Sequence, residues 1–249
     1  MKIFGLPFFF LSLSETCFGA GLNAYAAVGH SLGLDHGQTS IVASLFVTLL
    51  VVLFGLSFRA NLAKDDGIAP SGKFSLRFLF EGLLEFIYGI GKENCGHHYR
   101  NHLPLLCGIF IFVLVSNLSG LVPGFPPATE TIELNLAMGL MVFFSYNYAG
   151  LKEHGIGYLK HFLGPVLFIA PLMFLIEIAS HASRPLSLAI RLMANIFGDH
   201  LLLGVFTDLT YFVVPTLLMF LGLLVAVIQA FLFTLLTSIY ISLAIAHDH

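Results

Sequence analysis

The run FLGPVLFIAPLMFLIEIASHASRPLSLAIRLMANIFGDHLLLGVF, residues 162–206, decides how this chain folds. It is apolar and helix-forming almost throughout, yet it carries Glu177, His181, Arg184, Arg191, Asn195 and Asp199. At about 100° per residue, positions 177, 181, 184, 188, 191, 195 and 199 fall within an arc of about 80°, so a single helix lines up its polar groups along one side. A guanidinium deep in hydrocarbon costs between ~3 and ~17 kcal/mol, so Arg191 is expected to face protein or water and not lipid. That makes it the leading candidate for a functional centre.

The chain around this run has 249 residues, 57% of them hydrophobic and 10% charged, with a mean hydropathy of +0.92. Such a balance excludes a soluble domain and predicts an all-α integral membrane protein. The net charge of -3 gives no reason to expect nucleic acid as a partner. Cys17, Cys95 and Cys107 show no paired spacing, so neither a disulfide framework nor a zinc site is expected. The groups Cys95, His97, His98, His102 and His30, Asp35, His36 match no defined ligand spacing, and the expectation is no metal and no cofactor.

Residues 1–39 form a separate N-terminal segment. Lys2, the apolar stretch Ile3 to Leu13 and Ala24-Tyr25-Ala26 resemble a weak signal peptide reaching to about residue 26; a segment resting on the membrane surface is the alternative. Residues 40–249 read as a single membrane domain. Ser40 to Phe58 is uncharged and close to the ~20 residues that span a bilayer. The basic residues Arg59, Lys64, Lys73 and Arg77 follow it, which places that side in the cytoplasm and the N-terminus outside. Phe74 to Ile90, with Glu81 and Glu85 four residues apart, suits an amphipathic helix on the cytoplasmic surface. His102 to Val122 returns outward, and Leu134 to Gly150 spans again before Lys152 and Lys160.

The last two apolar stretches, 162–206 and 210–246, are about twice as long as a bilayer is thick. Neither has a polar loop in its middle, so a steep tilt or a bend at Pro185 or Pro171 is expected, giving a long, strongly tilted hairpin. With it the count is about five membrane helices plus the surface helix. Gly222, Ala226 and Ala230, and likewise Ala194 and Gly198, recur every four residues and favour close helix contact.

Arg184-Pro185-Leu186-Ser187-Leu188-Ala189-Ile190-Arg191-Leu192-Met193-Ala194-Asn195-Ile196-Phe197-Gly198 closely resembles the signature of subunit a of F-type ATP synthase. Asn117-Leu118-Ser119-Gly120-Leu121-Val122-Pro123-Gly124 and Ile228-Gln229-Ala230-Phe231-Leu232-Phe233 resemble two further parts of that family in order and spacing. The resemblance implies a proton-translocating stator subunit of the F0 sector, with two half-channels and an arginine, Arg191, facing the carboxylates of a rotating c-ring. It implies Asn195 and Gln229 as polar neighbours of that arginine and the c-ring and the peripheral stalk b subunits as partners. His200 stands nine residues after the arginine, where relatives carry Glu or His. Gly222 stands where a partner acid or imidazole is common and Gly120 where some relatives carry aspartate, so Asp199 or Glu177 is the candidate replacement carboxylate.

On this reading His200 and Glu177 contribute to the outer half-channel, with Asp199 beside them, and His181 is either a channel residue or a packing histidine. No phosphate loop is present, so the chain is expected to be a subunit of a rotary ATP synthase with no catalytic site of its own. The expected location is a bacterial inner membrane, with the mitochondrial inner membrane as the alternative. An independent transporter would show internal repeats or paired broken helices, and a purely structural subunit would leave the polar stripe without a role.

Overall fold

The computed structural model describes residues 39–64, 76–96, 99–122, 127–155, 158, 170–209 and 213–246. The proposed N-terminal signal segment, the loop with Asp65 to Lys73 and the outer residues 123–126 lie outside the described residues. Among these residues six α-helices follow in order: α1 Thr39–Lys64, α2 Leu76–Cys95, α3 Tyr99–Ser119, α4 Ile132–His154, α5 Ala170–Leu209 and α6 Val213–Ile245. A 3-10 turn, Ala128–Glu130, precedes α4. No strand occurs among the described residues, and the all-α membrane architecture expected from composition holds.

Among the described residues, three helical stretches are long and apolar enough to cross a bilayer: Tyr99–Ser119, Leu172–Phe206 and Val214–Ile245. Helix α1 is 26 residues long and carries the shorter apolar stretch Ile41–Leu53. Helix α4 has the length, 23 residues, but is diluted by Asn135, Ser145 and Asn147. Each of these groups donates a hydrogen bond inside the protein: Asn135 Nδ2 to the Thr129 carbonyl (2.7 Å), Ser145 to the Met141 carbonyl (2.7 Å) and Asn147 to the Phe143 carbonyl (2.7 Å). Internal pairing of this kind is what hydrocarbon demands of any spanning segment.

Lipid is as apolar as leucine, so close packing, and not transfer out of water, has to hold the helices together. Tyr146, Ile87, Leu106, Ile109, Leu188, Leu192 and Ile241 fill the shared core. Helix α5 packs chiefly on α4, and α6 packs on α3, α4, α5 and α2. Glycines set two of these approaches. A methyl group on Gly139 of α4 would lie 2.6 Å from the Pro185 carbonyl oxygen of α5. One on Gly150 would lie 2.6 Å from the Tyr158 ring and 3.0 Å from the Ala244 carbonyl of α6. On α6, Gly222, Ala226 and Ala230 are all buried, so that small-residue row is used within the chain.

The surface helix α2 turns Ile87 and Ile90 inward; of the two acids expected on its wet face, Glu85 is exposed and Glu81 half-buried. Its end is fixed by Cys95, whose sulfur lies 3.6 Å from the Ser238 hydroxyl on α6.

Helix α5 departs from one expectation. It is helical without interruption for 40 residues, through Pro185. The helix also includes residues 207–209, which separate the two apolar stretches in the sequence. Helix α5 therefore continues through Pro185 without a break in its helical assignment, and it pairs with α6 as the expected hairpin of long helices.

Candidate functional site

On α5, His181, Pro185, Leu188, Ala189, Leu192 and Ile196 are buried and form the face packed against the other helices. Glu177, Arg184, Arg191, Asn195 and Asp199 are half-buried. In helical projection Arg191 lies about 80° from His181 on one border of the packed face, and His200 about 100° away on the other. Beyond Arg191 the surface is open: Ser187, Ile190 and Ala194 are exposed, and a methyl group on Gly198 would meet nothing within 4 Å. Ala194 and Gly198 therefore do not serve packing within the chain. Among the described residues Arg191 makes no ion pair. A permanent charge on the rim of an apolar bundle, bordered by small side chains, can accept an acidic partner from outside.

Toward the end of α5 that meets α3 and the 3-10 turn, a cavity of about 40 Å³ gathers Asn117, Pro127, Asp199, His200, Gly222 and Gln229. Its volume admits roughly two waters, and its walls offer the polar partners that buried water requires. Asn117 Oδ1 accepts from the Thr129 hydroxyl (2.8 Å), which orients the amide. Its buried Nδ2 has no partner among the described residues, so the group retains a donor for water. Asn117 thus both ties the helix end to the turn and lines the cavity. His200 hydrogen-bonds the backbone of Gly120.

Of the two glycines that depart from the expected acid positions, Gly120 has no room for a side chain and Gly222 has only tight room. A methyl group on Gly120 would lie 2.8 Å from the Pro127 ring, and one on Gly222 would lie 3.1 Å from Leu121 Cδ2. The carboxylate that shares the cavity with His200 is Asp199, not Glu177. Next to the cavity wall, burial lifts the Glu130 carboxyl to about 6. An acid raised on folding favours the folded turn while protonated, and that contribution is lost as pH rises through its folded value.

At the opposite end of the stripe Glu177 joins a different group. Its Oε1 lies 3.2 Å from His181 Nε2, and His181 Nδ1 lies 3.0 Å from the hydroxyl of Tyr146 on α4. Arg184 lies 5.6 Å from the Tyr146 ring centre and 5.3 Å from that of Tyr240, a cation shared by two neighbouring rings whose centres are 6.0 Å apart. Glu177 and His200 are 23 residues apart on one unbroken helix, about 34 Å by rise. Glu177 therefore does not line the cavity that holds His200. Tyr146 and Tyr240 were not legible as part of the site. The only local signal was the run Ser145-Tyr146-Asn147-Tyr148 inside a span, unusually polar for lipid.

Residues 41–242 match the family model described as ATP synthase A chain. ATP synthase subunit a of Bdellovibrio bacteriovorus is 43% identical over 219 residues, covering 87% of this chain and 96% of that protein. ATP synthase subunit a 3 of Pelobacter propionicus is 44% identical, covering 88% and 93% respectively. ATP synthase subunit a of Sorangium cellulosum is 37% identical, covering 87% and 86%.

Proposed function

Because the chain belongs to the ATP synthase A chain family, we propose that it is the proton-translocating stator of an F0 sector, facing the c-ring through Arg191. The peripheral stalk b subunits hold it still, in a bacterial inner membrane. The observation that carries this reading is the half-buried Arg191, without an ion pair among the described residues, beside the open surface of Ser187, Ala194 and Gly198.

The mechanism follows from the charge. A guanidinium stays cationic in surroundings that would drive a lysine ammonium to give up its proton. Arg191 therefore attracts a ring carboxylate that has just lost its proton and cannot itself relay one. It also repels a hydronium, which keeps two aqueous half-channels from joining. Each proton carries about 2.3 kcal/mol per 100 mV, all of it lost to a leak. Asn195, one turn from Arg191, and Gln229 supply neutral polar groups between the charge and the cavity.

The cavity with Asp199, His200, Gln229 and Asn117 serves as the outer half-channel. Glu177 and His181, on the side bearing Lys92 and Lys152, serve the cytoplasmic one. In this role the chain has no catalytic site of its own; the chemistry of ATP belongs to other subunits.

Two measurements test the assignment. A cysteine at Ala194 is expected to form a disulfide with cysteines placed along the outward helix of the c-ring; failure to cross-link at any depth on that helix removes the proposed interface. His200→Ala is expected to reduce ATP-driven proton pumping roughly tenfold, the scale typical of losing an orienting polar group near a transferred proton. Unchanged pumping removes the cavity from the path.

A further inference from the structure

The group around Tyr146 holds a fully buried phenol whose hydroxyl faces the imidazole of His181 and whose ring lies under Arg184. A phenol in the interior of a membrane protein needs a polar partner, but packing alone does not require that partner to be a histidine already bonded to a carboxylate. The distances are 3.0 Å from the Tyr146 oxygen to Nδ1 and 3.2 Å from Nε2 to Glu177 Oε1. Both nitrogens of one ring are thus engaged, one by a buried group and one by a half-exposed acid.

We propose that Tyr146 is a positioning residue for proton transfer in the cytoplasmic half-channel, holding His181 by Nδ1 so that Nε2 stays aimed at Glu177. The inference rests on the stator reading given above. In the proposed arrangement Nδ1–H donates to the phenol oxygen throughout. When Glu177 is protonated its O–H bond breaks and an Nε2–H bond forms, giving an imidazolium and a carboxylate; the reverse step returns the proton to Glu177. The phenol is unchanged, because its oxygen accepts the same Nδ1–H before and after. Asn147 and Arg184 flank the hydroxyl, and the Tyr240 ring lies beside that of Tyr146 against the same guanidinium. A second positive charge beside that fixed guanidinium is repelled, so a proton received by His181 is handed on and not retained.

The same geometry explains why the phenol comes from α4. Gly139 brings α4 close against α5 at Pro185, one turn beyond His181, and Tyr146 and His181 meet across the same pair of helices. A histidine anchored only by its own helix would be free to turn about its side-chain bonds. One anchored from a second helix is fixed by the contact between them.

The test uses the assembled complex in inverted membrane vesicles, with passive proton conduction measured after removal of the catalytic head. Tyr146→Phe keeps the ring that packs against Phe143 and Arg184 and removes only the hydroxyl, and the amount of the subunit retained in the complex is measured alongside. Conduction is expected to fall roughly tenfold. Glu177→Gln is expected to fall at least as far, and the double variant to be no slower than Glu177→Gln alone, because both act through His181. Normal conduction in Tyr146→Phe, or effects that multiply in the double variant, would overturn the role of Tyr146 while leaving the stator reading intact. Normal conduction in Glu177→Gln would remove the whole cytoplasmic group from the path, and the positioning role with it.

Discussion

Replacing Arg191 with alanine is expected to end coupled ATP synthesis in vesicles energised by respiration. At an effective dielectric of about 20, opposite charges 4 Å apart attract by about 4 kcal/mol. Losing that attraction changes the occupancy of an ionised ring carboxylate at the interface by about a thousandfold, at 1.36 kcal/mol per factor of ten. The same substitution removes the barrier between the half-channels, so passive proton conduction is expected to persist or rise while synthesis is lost. That opposite movement distinguishes loss of a fixed charge from simple misfolding. Arg191→Lys is also expected to fail, since a compact ammonium replaces neither the planar fork nor its permanence of charge. Normal synthesis by Arg191→Ala would defeat the reading.

The second large effect concerns a residue that touches no proton. Gly139→Leu would put a side chain where Gly139 meets a backbone carbonyl, with the first added carbon 2.6 Å from Pro185 oxygen. Neither partner is the end of a flexible side chain, so α4 and α5 have to separate. Overpacking of this kind costs about 1–3 kcal/mol when side chains can adjust, and here the backbone has to move, so about 3 kcal/mol or more is expected. The Tyr146 to His181 bond crosses the same approach and would be lost with it. The measurement is the amount of subunit recovered in the intact complex and its thermal stability, both expected to fall sharply. Gly139→Ala should fall between that variant and the native chain. Native recovery of Gly139→Leu would show that the two helices can part without penalty.

The order of the helices and the polar stripe were legible because both depend on local pattern. Apolar length marks the spans, and a period near four residues places Glu177, His181, Arg184, Arg191, Asn195 and Asp199 together on whatever helix they form. The partners of those side chains were not legible. Tyr146 lies 35 residues from His181 and Thr129 lies 12 from Asn117, and no local period encodes which distant polar groups meet. The choice between Asp199 and Glu177 as companion of His200 depended on which of the two lines the same cavity. A proline predicts a break from its own missing donor, but a buried Pro185 backed by Gly139 can stay within the helix where α4 packs against it. Gly120 and Gly222 read as departures from a family pattern until Pro127 was seen to occupy, and Leu121 to crowd, the space a side chain would need.

The unbroken length of α5 has one more implication. Its apolar portion of 35 residues is about 52 Å long, and hydrocarbon about 30 Å deep can contain it only if the axis leans roughly 55° from the membrane normal. On such an incline the 34 Å between Glu177 and His200 resolves into about 20 Å of depth and about 28 Å sideways. On the proposed reading, the two doorways for protons are then displaced along the plane of the bilayer and not stacked one above the other. A carrier that picks up its passenger at one such doorway could not discharge it at the other without travelling laterally, which a turning ring would do.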